Sequence, residues 1–224
     1  MIIRVARSLG PLRDRVTFVG GSVVGLLITD EAVPEVRPTM DVDVIVEVAS
    51  TGEYYRFADE LRRLGFEEDR SEEAPICRWL VGGTRVDVLP TDEQVIGFSN
   101  RWYRLSASCA MRYEVEEGLT IRLITAPCLL ATKLESFIGR GLGDFAASHD
   151  MEDVMALVDG RRELVEEIRD SPDDVRTFLA ETLRSFIKQE AFLKSLPGHL
   201  PPDRASQARL PMLRARIESI ASMK

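Results

Sequence analysis

A chain of 224 residues is long enough for one large domain or for a core with an appended lobe. With 45% hydrophobic and 29% charged residues it has the composition of a soluble globular protein, which excludes the disordered and fibrous classes. Its formal charge of −8 argues against broad coating of DNA or of an anionic membrane, and no apolar run approaches the ~20 residues needed to span a bilayer.

No membrane partner is therefore expected. Arginines interrupt the opening "MIIRVARSLGPLRDRV", so it lacks the apolar block of a secretory signal, and the cytoplasm is the expected compartment. Cys77, Cys109 and Cys128 are odd in number and form no CxxC pair; reduced, buried thiols are expected.

In chain order, residues 1–16 predict a short amphipathic helix with Pro11 near a turn. "VTFVGG" predicts a strand ending in glycines, and "SVVGLLITDEA" a helix capped by Ser22. "MDVDVIVEV" alternates like a strand. "TGEYYRFADELRRLGF" predicts a helix with Tyr55, Ala58, Leu61 and Leu64 at helical spacing, Thr51 as cap and Gly65 at its end. "CRWLVGG" and "TRVDVLP" predict a hairpin through Gly82-Gly83, and "YEVEEGLTIRLIT" has further strand character. From Pro127 onward the periodicity is helical, broken by the Pro-rich linker "LPGHLPPD". The expectation is an α/β (α+β) fold, with a mixed first domain over 1–126 and a helical second domain over 127–224.

The informative stretch is "FVGGSVVGLLITDEAVPEVRPTMDVDVIVEV", Phe18 to Val48. Strand residues at i and i+2 share a face, about 6.5–7 Å apart, so Asp41 and Asp43 converge. Asp87 sits in a second strand of the same polar-in-apolar character. If the two strands are neighbours, three carboxylates meet, and like charges so gathered need a cation. Two Mg²⁺ ions, hard and oxygen-seeking, suit such a set and suit phosphoryl transfer. Gly20, Gly21 and Ser22, between a strand and a helix, offer close backbone approach, free N–H groups and a hydroxyl to an anion. The loop has neither Walker A spacing nor the G-x-S-x-G spacing, since Val24 takes the last glycine's place. Each feature alone has a plainer explanation: a simple turn, solvated aspartates, or an Asp87–Arg85 ion pair. Their joint order argues for a site.

That ordered set resembles the nucleotidyltransferase superfamily, the polymerase-β-like fold. Its "GGSVVGLL … RPTMDVDV" version looks most like the AbiEii-type and MenT-type toxin nucleotidyltransferases, whose R-x-T-x-D-[ILV]-D signature is matched by Arg37, Thr39, Asp41 and Asp43. "APCLLATKLESFIGRGLGDFAASHDMEDVMAL" is similar to a later block of that family, with Pro127, Lys133, Arg140, Asp150 and Asp153 on matching positions. The block departs from the pattern at His149, where a basic residue is usual; the histidine either substitutes for that cation or is a surface residue.

The resemblance implies a catalytic core with a mixed sheet flanked by helices, and a C-terminal helical lobe that completes the active site. It implies a two-Mg²⁺ site on Asp41, Asp43 and Asp87, with Asp87 also able to act as base. The triphosphate would be bound by Gly20, Gly21, Ser22, Arg37, Thr39, Lys133, Arg140, Asp150 and Asp153, and Lys133 would neutralise developing charge. The implied activity is transfer of a nucleotide monophosphate from an NTP to an acceptor hydroxyl. RNA, such as a tRNA 3′ end, is the implied acceptor in a toxin–antitoxin setting, with a cognate antitoxin as partner. The rivals are an aminoglycoside-like small acceptor, which suits an acidic cleft, and a non-catalytic binding module.

Overall fold

The computed structural model describes residues 1–33, 36–140 and 143–224, with only the backbone of Arg140. Contacts divide the chain into two compact units: Met1–Val23 with Pro38–Thr125, and Val24–Arg37 with Ala126–Lys224. The segment Val24–Arg37, assigned above to the first domain, thus belongs with the helices.

The first unit is the α/β part expected from the alternating pattern. Helix α1 (Ile2–Leu9) buries Val5, Ala6 and Leu9. Strands β1 (Val16–Val19) and β2 (Asp41–Val46) are followed by helix α3 (Thr51–Arg63), helix α2 (Val24–Leu27) being part of the second unit. Then come β3 (Glu67–Glu68), β4 (Arg78–Val81), β5 (Thr84–Pro90), α4 (Glu93–Ile96), α5 (Tyr103–Ser108), β6 (Met111–Glu116) and β7 (Leu119–Leu123). Among the described residues these strands form one seven-stranded sheet in the order β3-β4-β5-β2-β1-β7-β6. It is mixed: β2 with β5 and β1 with β7 are parallel, and the other neighbours are antiparallel. Val42, Val44, Phe18, Val86, Val88 and Leu123 are fully buried, which is the driving force for the layer.

Gly82 (φ 52°) and Gly83 (φ 76°) turn β4 into β5 with both central residues at positive φ, as a two-residue hairpin requires. Two details of α3 differ from expectation. Its cap is Ser50, which accepts from the Glu53 N–H, not Thr51. Its buried stripe is Tyr54, Phe57, Ala58 and Leu61, while Tyr55 and Leu64 are exposed, because the true stripe is offset by one residue at its start.

The second unit is helical: α2 (Val24–Leu27), α6 (Ala126–Arg140), α7 (His149–Gly160), α8 (Leu164–Arg169), α9 (Asp173–Phe186), α10 (Glu190–Ser195), α11 (Arg204–Gln207) and α12 (Leu210–Ala221). The helix expected from Ser22 through Ala32 stops at Leu27. Beyond it the Thr29 and Asp30 N–H groups donate to Gly160 O at 3.0 and 2.9 Å, and Arg161 Nη1 donates to Leu27 O at 2.7 Å. Those bonds satisfy backbone groups that a longer helix would have used itself. Phe137, Phe145, Phe186 and Phe192 pack with ring centroids 5.0–5.6 Å apart, a range typical of favourable aromatic pairs. Cys77 and Cys128 are buried and Cys109 half-buried, all three as free thiols. Among the described residues, no helix is long and apolar enough to cross a membrane.

Candidate functional site

Strand register brings the predicted carboxylates of the first unit together. In the parallel β2–β5 pair, Asp43 lies opposite Asp87 and Asp41 opposite Arg85. In the antiparallel β4–β5 pair, Asp87 lies opposite Arg78. One row across three strands therefore reads Asp43, Asp87, Arg78.

Arg78 is the residue that the sequence analysis missed. Its Nε donates to Asp87 Oδ1 at 2.8 Å and its Nη2 to Asp87 Oδ2 at 2.7 Å, a two-pronged bond. The same Nη2 reaches Asp41 Oδ2 at 3.5 Å. The Asp87 carboxylate raises the Arg78 pKa against the opposing effect of burial, so the guanidinium is permanently charged. The Asp87–Arg85 ion pair considered above does not form, because Arg85 is exposed and stands opposite Asp41. Behind the row, burial pushes the Cys77 thiol up to about 12, with Asp87 adding to it; this cysteine is an inert core residue.

Gly20 closes the row from the β1 side. Its φ is +76°, and a Cβ placed there would lie 1.8 Å from Asp43 Oδ2. The Asp43 carboxylate thus occupies the space that any other residue's side chain would need. Gly21 opens a 3₁₀ turn, Gly21–Val23, in which Ser22 Oγ is buried with no hydrogen-bond partner among the described residues. Ser22 is therefore not the helix cap expected from sequence; its hydroxyl is an unused polar atom at the glycine turn. Thr39 Oγ1 donates to Asp41 O at 3.3 Å, bracing the entry to β2.

The second unit holds a separate cluster. Lys133, on α6, has its Nζ 3.2 Å from Asp150 Oδ1 and 2.6 Å from Asp153 Oδ2. The two aspartates are three residues apart on α7 and so face the same way. Burial alone would lower the Lys133 pKa, but Asp153 and Asp150 outweigh it and the ammonium is held charged. Arg37 joins from the other segment of this unit, 3.2 Å from Glu152 Oε2 and 3.8 Å from Asp153 Oδ1. His149 is exposed beside Glu152, with Nδ1 3.3 Å from Oε2. The Arg140 side chain lies outside the described residues.

A scan of the chain against known protein families finds no matching model, and no curated protein matches it by sequence.

Three carboxylates from neighbouring strands, a glycine turn in van der Waals reach of one of them and an orphaned hydroxyl make a donor set of the hard-oxygen kind that Mg²⁺ takes. Among the described residues, however, no three acidic, histidine or cysteine side chains are gathered closely enough to hold an ion. Arg78 is a cationic partner of the row through Asp87.

Proposed function

We propose that the protein is a Mg²⁺-dependent nucleotidyltransferase of the polymerase-β-like kind, moving a nucleotide monophosphate from an NTP to an acceptor hydroxyl with release of pyrophosphate. The observation that carries this proposal is the register of Asp43 against Asp87, with Gly20 leaving room for the Asp43 carboxylate. Asp41, Asp43 and Asp87 would hold the metal, which when bound supplies charge neutralisation at the transferred phosphate. Ser22 Oγ and the amides of Gly20 and Gly21 supply donors to phosphate oxygens. Asp87, freed of its guanidinium partner, can accept the proton of the acceptor hydroxyl. In the second unit Lys133 is kept charged by Asp153 and Asp150.

The acceptor in this proposal is RNA, with a tRNA 3′ end favoured because it needs only a modest basic patch on an acidic chain. The setting is a cytoplasmic toxin held in check by an antitoxin. Incubation with each labelled NTP and total RNA is expected to transfer label to RNA; transfer to an aminoglycoside alone would move the substrate to small molecules.

Asp41→Asn provides the test of the site. Calorimetry should show Mg²⁺-NTP binding to the wild type and none measurable to Asp41→Asn. The hold of Arg78 on Asp87 favours a second reading, a non-catalytic binding module on the same fold. Absence of Mg²⁺-NTP binding in both proteins would select it.

A further inference from the structure

Tyr55 and Ile76 are large apolar side chains left in water, 59% and 69% exposed. Both line one cleft of ≈ 290 Å³ in the first unit, walled by α3, β4 and the segment between β3 and β4, with Trp79 in its lining. Aromatic and aliphatic surface in a cleft that stays open suits a flat apolar group only partly withdrawn from water. The volume is at the small end of ligand sites, which run from roughly 300 to 1,000 Å³. It suits one planar ring with its sugar better than a whole triphosphate nucleotide.

The charges around this cleft favour an anion. Three guanidiniums, those of Arg62, Arg70 and Arg78, line it against two carboxylates, Glu68 and Asp69. Arg62 bonds Glu68, and its Cζ lies 5.5 Å from the Trp79 ring centroid. Asp69 Oδ1 accepts from the Ser71 N–H at 3.0 Å and from Ser71 Oγ at 2.7 Å. Arg70 is exposed and, among the described residues, forms no ion pair. A guanidinium without an acidic partner, at the rim of an aromatic cleft, matches a base that carries its own phosphate. Arg78 belongs both to this lining and, through its bonds to Asp87, to the carboxylate row, so the cleft borders the row.

We propose that the cleft holds a nucleotide of the single-stranded RNA acceptor just upstream of its reacting end, with the base against Tyr55 and Ile76 and the phosphate on Arg70. An open cleft suits one unit of a polymer whose neighbours continue beyond it, and stacking on an aromatic side chain accepts any base. This grip rests on the nucleotidyltransferase reading, and its test separates the two.

The measurement is fluorescence anisotropy of a short 5′-labelled single-stranded RNA on the full chain, run beside calorimetry of Mg²⁺-NTP, for wild type, Tyr55→Ala, Tyr55→Phe and Arg70→Gln. Tyr55 and Arg70 are exposed, so these substitutions leave the core intact. Tyr55→Ala is expected to weaken RNA binding about tenfold or more, the worth of one stacked base, and Tyr55→Phe to restore it. Arg70→Gln should weaken it too and flatten its salt dependence by about 0.7 in the log–log slope, as the loss of one phosphate contact does. Mg²⁺-NTP binding should stay at the wild-type level in all three. RNA binding by Tyr55→Ala equal to wild type, or loss of Mg²⁺-NTP along with RNA in that variant, overturns the acceptor grip. A wild type that binds Mg²⁺-NTP but no RNA overturns the grip and leaves the enzyme reading standing. RNA binding that needs Tyr55, in a wild type that takes no Mg²⁺-NTP, keeps the cleft as an RNA site and overturns the enzyme reading. Binding of neither overturns both.

Discussion

Gly20→Ala is expected to lose metal-dependent nucleotide binding by about a hundredfold, the cost of displacing a site residue by roughly an ångström. The new Cβ would start 1.8 Å from Asp43 Oδ2, closer than real side chains approach, so the carboxylate must turn away from Asp87. The left-handed backbone at φ +76° adds roughly 1–2 kcal/mol of strain. Gly83→Ala separates the two effects, because Gly83 has the same φ of +76° but nothing within 4 Å of the added carbon. Both variants should lose stability in thermal melts, Gly20→Ala the more because Asp43 Cβ also lies 2.9 Å from the added carbon, and only Gly20→Ala should lose Mn²⁺-NTP binding. Retained binding in Gly20→Ala would mean that the position of Asp43 over the glycine is not needed.

Asp30→Ala is expected to destabilise the second unit by about 3 kcal/mol, as breaking a buried ion pair does. Asp30 is 7% exposed, with Arg162 Nη2 2.8 Å from Oδ1 and Arg209 Nη2 2.9 Å from Oδ2. The loss is limited because Arg209 keeps Asp159, its Nε lying 3.0 Å from both carboxylate oxygens. Arg162, then Arg209 and the Ala32 N–H, hold the Asp30 carboxyl well below the usual aspartate range. A depressed folded-state pKa contributes stability above the unfolded-state value near 3.8 and loses it as pH falls through the folded-state value. Urea unfolding followed from pH 7 to pH 3 should therefore show the gap between wild type and Asp30→Asn narrowing below about pH 4. A gap independent of pH would mean that packing, not charge, sets the contribution of Asp30.

How far the site could be read from sequence depended on whether a signal was local. Asp41, Asp43 and Asp87 stood out because they are carboxylates set among β-branched strand residues, with Asp41 and Asp43 on one face of the alternation. Lys133, Asp150 and Asp153 came from the resemblance, the two aspartates lying three apart on one helix, and the structure brings those three together. Arg78 was also legible, because a two-residue turn at Gly82-Gly83 pairs Val81 with Thr84 and hence Arg78 with Asp87. The adjacency of Asp43 to Asp87 was not legible, since no local feature says that β2 and β5 are neighbours. The over-long helix after Ser22 failed for a similar reason. Its apolar spacing was sound, but Gly160 O, more than a hundred residues away, takes the N–H groups of Thr29 and Asp30. Ser22 was credited with capping on residue type alone, and its hydroxyl proves to have no such partner.

The second unit is built from two stretches of chain that translation delivers far apart. Residues 24–37 leave the ribosome early, yet Arg209, which grips Asp30, is 179 positions later. The early stretch meets Gly160, Arg161 and Arg162 only more than a hundred residues later, and Arg209 later still, and loop closure over such distances slows assembly. A fragment starting at residue 126 would be born without α2 and the Asp30 anchor. Cutting the molecule at that apparent border would thus yield a lobe that lacks part of its own interior.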